Sequence, residues 1–240
     1  NAVADASPDV ARSVIRAAMK RASGAPLAYA VGRASFRHLT LEVDERVLIP
    51  RVETEILVER VLERCGPKTR SIADIGTGSG AIALSLAFEH EFERVFATDI
   101  SLDAIHVAAA NAASLGKLLK SAVHFRHGSL IAPLERMKLD AIVCNPPYIS
   151  FAEIGELPAD VRDWEPSLAL LCPQDGLSVS RDLVNQAPSV LARGGMLALE
   201  VDTRRAGTVA EMIAVDRRYR DIEVLLDLTG RERFVFARRV

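Results

Sequence analysis

The chain has 240 residues, of which 49% are hydrophobic and 26% are charged, and its formal net charge is −2. These values are typical of a soluble globular protein with one substantial domain. The near-neutral charge argues against a broad nucleic-acid-binding surface, so we expect no direct contact with nucleic acid. No apolar run approaches the roughly 18 to 20 residues that span a bilayer. The first residues do not resemble a signal peptide, so no membrane association is expected.

The cysteines and histidines predict no disulfide framework and no metal site. Cys65, Cys144 and Cys172 are far apart, and their spacing fits neither kind of site. The five histidines also lack metal-ligand spacing. A reducing, cytoplasmic setting is therefore expected. Because the chain begins at Asn1 rather than at a methionine, we expect a processed or engineered start, which leaves room for a longer natural protein.

The amino-terminal part of the chain predicts a helix followed by a β-hairpin. Apolar residues recur at helical spacing over residues 9–22, after the start signal Ser7-Pro8. We expect residues 1–33 to be a helical remnant and linker that packs on the main domain. Alternating apolar residues over 34–43 and 46–49 predict the two arms of a hairpin within residues 34–52. The main domain is then residues 53–240, and it opens with a helix.

From Ser71 onward, predicted strands alternate with predicted helices. The strands are 71–75, 94–98, 123–126, 139–144 and 196–201, and the helices are 81–88, 101–115, 177–191 and 208–215. This alternation predicts an α/β domain with a mostly parallel sheet and helices on both faces. Gly194-Gly195 is expected to end the helix over 177–191. Two last strands, 219–226 and 233–237, form an antiparallel closing pair, and residues 149–177 are a long, functional insertion.

A glycine-rich turn joins the first of these strands to its helix. Its pattern is Asp74-x-Gly76-x-Gly78-x-Gly80, and Asp99 ends the next strand about 20 residues later. Glycines let the backbone approach a ligand, and a carboxylate at Asp99 can accept both hydroxyls of a ribose. The spacing differs from the G-x-G-x-x-G of NAD-binding proteins, and no Walker lysine follows. A nucleotide site is favoured over a turn that serves only close packing.

A second motif, Asn145-Pro146-Pro147-Tyr148, follows the apolar run 139–144. The two prolines lack backbone N–H groups and leave rigidly held carbonyls as acceptors. Together with the Asn145 amide and the Tyr148 ring, they suit a planar group that presents an NH2. The motif lies at the carboxyl end of a strand, where open α/β sheets bind ligands. A proline-stiffened loop without chemistry is the alternative.

Together these motifs resemble the HemK/PrmC family of class I S-adenosylmethionine-dependent methyltransferases. Its members modify the Gly-Gly-Gln motif of peptide-chain release factors at the glutamine N5. The resemblance covers roughly residues 24 to 239 and includes further blocks: Pro26-Leu27-Ala28-Tyr29, Leu48-Ile49-Pro50-Arg51-Val52-Glu53-Thr54-Glu55, Glu165-Pro166-x-Leu168-Ala169-Leu170, Asp175-Gly176-Leu177 and Asp227-Leu228-x-Gly230-Arg231-x-Arg233.

The resemblance implies a Rossmann-like fold with a seven-stranded sheet, S-adenosylmethionine as cofactor and a release factor as protein substrate of a monomer. It implies that Asn145 and Pro146 accept the two N–H bonds of a glutamine amide and that Tyr148 packs on the amide plane. These three are the implied catalytic residues. The implied cofactor-binding residues are Asp74, Gly76, Thr77, Gly78, Gly80, Asp99, Ile100, Ser129 and Asn145. The implied substrate-binding residues are Asn145, Pro146, Pro147, Tyr148, Arg51 and Glu53.

Several positions depart from the family pattern. Val52 replaces a usual proline, and Ser129 stands where an acidic residue often lies near the adenine. Cys172-Pro173-Gln174 replaces a glycine-containing segment, and residues 200–204 replace Glu-x-Gly and a glutamine. The family's helical amino-terminal domain is mostly absent. Arg51 and Glu53 are equally compatible with a solvated helix start.

Three alternatives to a release-factor methyltransferase remain open at the level of the sequence. A DNA or RNA adenine N6-methyltransferase applies the same Asn-Pro-Pro-Tyr chemistry to an exocyclic NH2. A member of the family redirected to another protein or a small molecule would account for the departures. A non-catalytic binding module would keep the fold, but the intact glycine turn, Asp99 and Asn145 argue against it.

Overall fold

The computed structural model describes residues 7–240. Its helices are α1 (Pro8–Ala22), α2 (Leu27–Val31), α3 (Val52–Arg64), α4 (Ala81–Glu89), α5 (Leu102–Leu115), α6 (Ala159–Arg162), α7 (Ser167–Leu170), α8 (Ser178–Gln186) and α9 (Ala206–Val215). Its strands are β1 (Arg33–Phe36), β2 (Leu39–Glu42), β3 (Ser71–Ile75), β4 (Arg94–Asp99), β5 (Val123–His127), β6 (Leu139–Cys144), β7 (Leu191–Glu200), β8 (Tyr219–Leu226) and β9 (Glu232–Arg239).

Strands β3 to β9 form a seven-stranded sheet in the order β5-β4-β3-β6-β7-β9-β8. Neighbouring strands pair in parallel from β5 to β7. Strand β9 is antiparallel to both β7 and β8. The predicted, mostly parallel α/β sheet with an antiparallel closing strand is therefore confirmed. Strands β3 and β6 are neighbours, so the glycine turn and Asn145, which follow them, lie at the same edge of the sheet.

Two hydrophobic cores cover the two faces of this sheet, because successive strand residues point to opposite faces. Ile72 and Ala141 belong to the core that contains buried residues of α3 and α4. Ala73 and Ile142, one residue further along each strand, belong to the core formed with α8 and α9. Burial on both faces explains why β3 and β6 read as continuous apolar runs rather than as alternating strands.

The small hairpin differs from its prediction. Its arms are β1 and β2, which pair from Arg33–Glu42 to Phe36–Leu39. The tight turn lies at Arg37, whose φ is 50°. The predicted second arm over residues 46–49 is wrong, because these residues form no strand. Instead, the carbonyl of Val47 accepts a hydrogen bond from the Tyr29 hydroxyl, and residues 46–51 extend over the sheet edge.

The segment before β7 also differs from its prediction. Helix α8 ends at Gln186, and a short 3-10 turn follows over Ala187–Ser189. Strand β7 begins at Leu191, so Gly194 and Gly195 lie inside a strand and do not end a helix. A Cβ on Gly195 would lie 2.8 Å from the Ala192 carbonyl oxygen. The pairing of β6 with β7 shifts register here, because Leu139 pairs with Leu191 whereas Ala141 pairs with Met196. Glycine permits this irregularity in the strand.

Helix α1 has no buried residue, and its apolar residues Val10, Val14, Ile15 and Met19 are exposed. Residues 1–6 of the expected amino-terminal unit lie outside the described residues. None of the helices between residues 7 and 240 has the length and apolar character needed to cross a bilayer. Within the same residues, no group of three or more His, Cys, Asp or Glu side chains could hold a metal ion.

Candidate active site

The turn between β3 and α4 brings backbone to the sheet edge. Gly78 and Gly80 adopt φ values of 55° and 87°, in the left-handed region that favours glycine. A Cβ on Gly80 would lie 2.9 Å from Cδ1 of Leu84, so this glycine allows α4 to pack closely. A Cβ on Gly78 would meet nothing within 4 Å. Gly78 lines a cavity instead, and its backbone is open to a ligand.

Asp74 lies beneath this turn and is completely buried. Its Oδ2 accepts hydrogen bonds from the Thr77 hydroxyl at 2.6 Å and from the Ala83 N–H at 3.1 Å. Its Oδ1 has no hydrogen-bond partner among the described residues. Burial raises the pKa of Asp74 to about 7, and the two hydrogen bonds oppose this rise. The unpartnered oxygen is an acceptor for a cationic or N–H group.

Asp99 ends β4 on the opposite side of the turn. Its Oδ2 accepts the Gly78 N–H at 2.9 Å, and its Oδ1 accepts the Ser101 N–H at 2.8 Å. Burial raises the pKa of Asp99, although these backbone hydrogen bonds oppose the shift. Each carboxylate oxygen can accept more than one hydrogen bond. Asp99 lines the cavity and retains acceptor capacity for two further donors.

A cavity of about 550 Å³ occupies this edge of the sheet, and we call it the large cavity. This volume suits a ligand of nucleoside size. Residues from the strand ends form its floor, and residues 47–48 and the insertion form its walls. Its predicted site residues are Gly76, Gly78, Asp99, Ile100, Ser129, Asn145, Pro146 and Pro147.

A second cavity of about 250 Å³, the small cavity, lies beside the first. Asn145, Pro146 and Pro147 line both cavities, and Tyr148 and Arg51 line the small one. The rest of its lining comes mainly from apolar residues of the insertion. Burial raises the pKa of Tyr148 to about 12, so its hydroxyl stays protonated at neutral pH. The Asn-Pro-Pro stretch is thus shared between a large cavity and a small one.

The Asn145 side chain is held by Thr54 of α3, which is itself bound to Glu200 of β7. Its Nδ2 donates to the Thr54 Oγ1 at 3.1 Å, and the Thr54 hydroxyl donates to Oε2 of Glu200 at 2.7 Å. Thr54 and Glu200 are 5% and 1% exposed. Burial raises the pKa of Glu200 to about 7, while the hydrogen bond from Thr54 and the charge of Arg233 oppose the rise.

Segment 46–51 is fixed over the two cavities by Glu165 from the insertion. Its Oε1 lies 2.5 Å from Nη2 of Arg51, and its Oε2 accepts the Ile49 N–H at 3.1 Å. The Glu165 side chain is 1% exposed. Leu48, within this segment, lines both cavities. One buried carboxylate therefore joins the walls that come from the amino-terminal segment and from the insertion.

The chain is similar in sequence to proteins of known activity. A family model described as the methyltransferase small domain matches residues 52–156. The release factor glutamine methyltransferase of Moorella thermoacetica is 46% identical over 234 residues, which cover 97% of this chain and 82% of that protein. The protein of the same name from Bacillus cereus is 38% identical over 224 residues, which cover 91% and 78%. The chain belongs to the release factor glutamine methyltransferase family. It is a methyltransferase, and the resemblance inferred from its motifs is confirmed.

The fold agrees with this family assignment. A solved structure of a methyltransferase from Pyrococcus furiosus aligns with a TM-score of 0.61 at 17% identity. The alignment covers 97% of this chain and 98% of that chain. The predicted class I methyltransferase fold is therefore confirmed.

The family's motif residues divide into those that reach a cavity and those that support it. Asp74, Thr77 and Gly80 lie behind the glycine turn and do not line the large cavity, and Glu53 lines neither cavity. The departure at Val52 is explained by its position, because it is the first residue of α3 and is 60% exposed. Proline and valine are both tolerated there, since the N–H of the first helical residue has no partner within the helix.

The departure over residues 200–205 also has a structural explanation. Arg205 donates to Oε2 of Glu153 at 2.7 Å and to the Asp175 carbonyl at 2.8 Å. Asp202 lies 3.4 Å from the same guanidinium and 2.9 Å from that of Arg204. These charges attach the insertion to the end of β7. The sequence prediction assigned no role to Arg205.

Thr54 and Glu165 were not among the predicted catalytic, cofactor-binding or substrate-binding residues. The signal was their position within blocks that resemble the family, since Thr54 lies in the Pro-Arg-x-Glu-Thr-Glu block and Glu165 begins Glu-Pro-x-Leu. Spacing alone could not identify them, because each contacts the site across more than 90 residues of sequence.

Proposed function

We propose that this chain transfers the methyl group of S-adenosylmethionine to the side-chain nitrogen of the glutamine in the Gly-Gly-Gln motif of a peptide-chain release factor. One observation carries the proposal: Asn145, Pro146 and Pro147 line both the large and the small cavity. A methyl donor in one cavity and an amide in the other would meet at this stretch. The names of the two relatives, which are 46% and 38% identical to this chain, support the substrate.

The residues at the large cavity fit S-adenosylmethionine. Asp99 retains acceptor capacity for the two ribose hydroxyls, and Gly76 and Gly78 leave the backbone accessible to the ligand. Asp74 does not line the cavity, and its unpartnered Oδ1 would act from behind the turn on the ammonium of the amino-acid part. Ile100 and Ser129 would contact the adenine, while Thr77 and Gly80 would hold the turn in shape. When bound, this cofactor supplies an electrophilic methyl group.

The small cavity fits a glutamine side chain. An amide nitrogen is a poor nucleophile because its lone pair is delocalised into the carbonyl. The Asn145 side-chain oxygen and the Pro146 carbonyl would accept its two N–H bonds and aim the nitrogen at the large cavity. Positive charge that grows on the nitrogen would then meet fixed dipoles that need no reorganisation. Tyr148 and Pro147 would pack on the amide, and Arg51 would bind near its backbone.

Loss of a proton completes the reaction after the N–C bond has formed. No carboxylate or imidazole is among the described residues that line the small cavity, and the Tyr148 hydroxyl stays protonated. Water therefore takes the proton, which becomes acidic only once the nitrogen carries the methyl group. Asn145 and Pro146 act by orientation and by charge stabilisation rather than as bases.

The proposal extends to organisation and location. Residues 53–240 would form the catalytic domain, with 34–52 contributing a wall of the site and helices α1 and α2 preceding it. Glu53 would assist substrate binding from the first turn of α3. We further propose that the enzyme is a monomer that works in the cytoplasm without direct contact with nucleic acid.

The test measures transfer of labelled methyl groups to a purified release factor, to its Gly-Gly-Gln variant with alanine in place of glutamine, and to a DNA duplex. We expect labelling of the first only. Equal labelling of the alanine variant would reject the assigned glutamine, and labelling of DNA would favour an adenine methyltransferase. Asn145→Ala should lower kcat by about 1,000-fold, whereas its affinity for S-adenosylmethionine should change by less than about threefold.

A further inference from the structure

Three side chains from three different elements form a hydrogen-bonded row that ends at the site. Glu200 is the last residue of β7, Thr54 lies in the first turn of α3, and Asn145 follows β6. The Glu200–Thr54 and Thr54–Asn145 distances are 2.7 Å and 3.1 Å. We call this row the Glu200 relay. Only its Asn145 end lines the two cavities.

The chemistry of the groups gives the relay a direction. Above its raised pKa of about 7 the Glu200 carboxyl is ionised. An ionised carboxylate can only accept hydrogen bonds, so the Thr54 hydroxyl must then donate to Glu200. Thr54 has one hydroxyl proton, and its oxygen can then only accept from Asn145. An amide has an NH2 that donates and an oxygen that accepts, on opposite sides of one carbon. Because the NH2 is bound to Thr54, the amide oxygen is directed away from it.

We propose that Thr54 and Glu200 are positioning residues that fix the Asn145 amide with its oxygen toward the methyl-accepting group. The inference rests on the proposed function. An Asn145 side chain free to rotate would offer either an acceptor or a donor to the substrate. The relay excludes the orientation in which the Asn145 NH2 faces the substrate. The site therefore accepts an NH2 and rejects a group that brings only oxygen acceptors. The relay thus selects glutamine over glutamate.

The relay also explains why a buried carboxylate and a buried hydroxyl occupy this place. A buried polar group costs free energy unless it is hydrogen-bonded, so each member depends on its neighbour. A neutral apolar residue at Thr54 would leave the Glu200 oxygen without this donor and the Asn145 NH2 without this acceptor. Thr54 therefore links the buried Glu200 carboxyl group to the Asn145 side chain at the cavity.

The test compares Thr54→Val, which keeps the shape and loses the hydroxyl, with Thr54→Ser, which keeps the hydroxyl. Thr54→Val should lower kcat for the release factor by about tenfold or more, with less than about a twofold change in the dissociation constant of S-adenosylmethionine. Thr54→Ser should retain kcat to within about threefold. Thr69→Val is the matched control. The Thr69 oxygen also takes part in a hydrogen bond, which it accepts from the Gly66 N–H, but Thr69 precedes β3 and therefore lies at the end of that strand opposite the site. Its kcat should equal that of the unmodified enzyme.

A second measurement separates orientation from general damage to the fold. Thr54→Val is introduced into Asn145→Ala, where no amide remains to be oriented. The proposal predicts no further loss of kcat in that background. A release factor with glutamate at the methylated position should also inhibit Thr54→Val more strongly than the unmodified enzyme, because the rotated Asn145 amide can donate to it.

The outcomes distinguish the two proposals. If the unmodified enzyme does not methylate the release factor, the proposed function fails. If it does and Thr54→Val retains its kcat, the relay is overturned. An equal loss from Thr54→Val with and without Asn145 would also overturn it, as would unchanged inhibition by the glutamate-containing factor.

Discussion

Glu165 and Arg51 form an ion pair, with 2.5 Å between Oε1 and Nη2, although 114 residues separate them in sequence. The carboxylate is buried, whereas the guanidinium side chain is 32% exposed. The same carboxylate accepts the Ile49 N–H. Glu165 and the Tyr29 hydroxyl, which donates to the Val47 carbonyl, therefore fix segment 46–51, and with it the position of Leu48 between the two cavities.

Glu165→Ala should destabilise the chain and weaken substrate binding. We expect a loss of about 2 kcal/mol in the free energy of unfolding, below the value for a fully buried pair because water can still reach Arg51. The KM for the release factor should rise, since Arg51 lines the small cavity. Denaturant unfolding and steady-state kinetics measure the two effects. Glu156→Ala is the control, because the Glu156 side chain is 71% exposed, and it should change neither quantity.

Asp74→Asn should stabilise the free protein at high pH and abolish tight binding of S-adenosylmethionine. Burial raises the pKa of Asp74 to about 7, so the folded chain keeps this proton where the unfolded chain has lost it. Stability therefore falls as pH rises from about 4 to 7. Asparagine does not ionise, so the stability difference between variant and unmodified protein should grow by about 1.4 kcal/mol per pH unit over this range.

Thermal unfolding at about pH 5 and about pH 8 and calorimetric titration with the cofactor test this prediction. The variant should lose at least about tenfold in affinity, because the unpartnered oxygen is replaced by an NH2. A stability difference between variant and unmodified protein that does not change with pH would contradict the raised pKa of Asp74. Unchanged affinity would contradict the assignment of Asp74 to the ammonium group.

The sheet and the glycine turn were predictable because their determinants are local. The apolar runs of β3 and β6 require burial on both faces of the sheet. The glycines at positions 76, 78 and 80 indicate a turn between a strand and a helix. The Asn145 motif was placed correctly at the sheet edge by the same logic. Local pattern failed at residues 46–49, where alternation reflects burial of Val47 against Tyr29 rather than strand pairing.

The supporting contacts could not be predicted from the sequence. Thr54, Glu165 and Arg205 have no periodicity or spacing that marks them, and each acts through a contact distant in sequence. Gly194-Gly195 was interpreted as a helix end because glycine commonly follows helices. In the structure these glycines serve the register shift between β6 and β7. Whether a glycine ends a helix or permits a register shift within a strand therefore depends on tertiary contacts, which the local sequence does not reveal.

Gly78→Ala and Gly80→Ala should separate ligand binding from packing. At Gly80, φ is 87°, and the new Cβ would lie 2.9 Å from Leu84 and 3.2 Å from Ala108. We expect a loss of stability of about 2 to 3 kcal/mol. At Gly78 the Cβ would enter the large cavity without a clash, so stability should fall by only about 1 kcal/mol.

The affinity for S-adenosylmethionine should show the opposite order. The Gly78→Ala methyl group would occupy space at the cavity wall, and we expect at least a tenfold loss of affinity, or about 1.4 kcal/mol. Calorimetry at a temperature where both variants are folded measures it. A larger loss of affinity in Gly80→Ala than in Gly78→Ala would contradict the position of the ligand against the turn.

Gly176→Ala tests whether the insertion fixes the position of Tyr148. Gly176 has a φ of 79°, and a Cβ added there would clash with the Tyr148 carbonyl oxygen and lie 3.0 Å from the Arg205 guanidinium. Neither backbone nor this hydrogen-bonded side chain can move freely, so the Asn145-to-Tyr148 segment must shift. A displacement of about 1 Å at reacting groups can cost about 100-fold in rate, so we expect kcat to fall by about 10- to 100-fold. Affinity for S-adenosylmethionine should change much less, because Tyr148 does not line the large cavity.

Gly155→Ala is the matched control in the same insertion, since a Cβ added at Gly155 would meet nothing within 4 Å. Equal kinetics for the two variants would mean that Tyr148 keeps its position independently of the insertion.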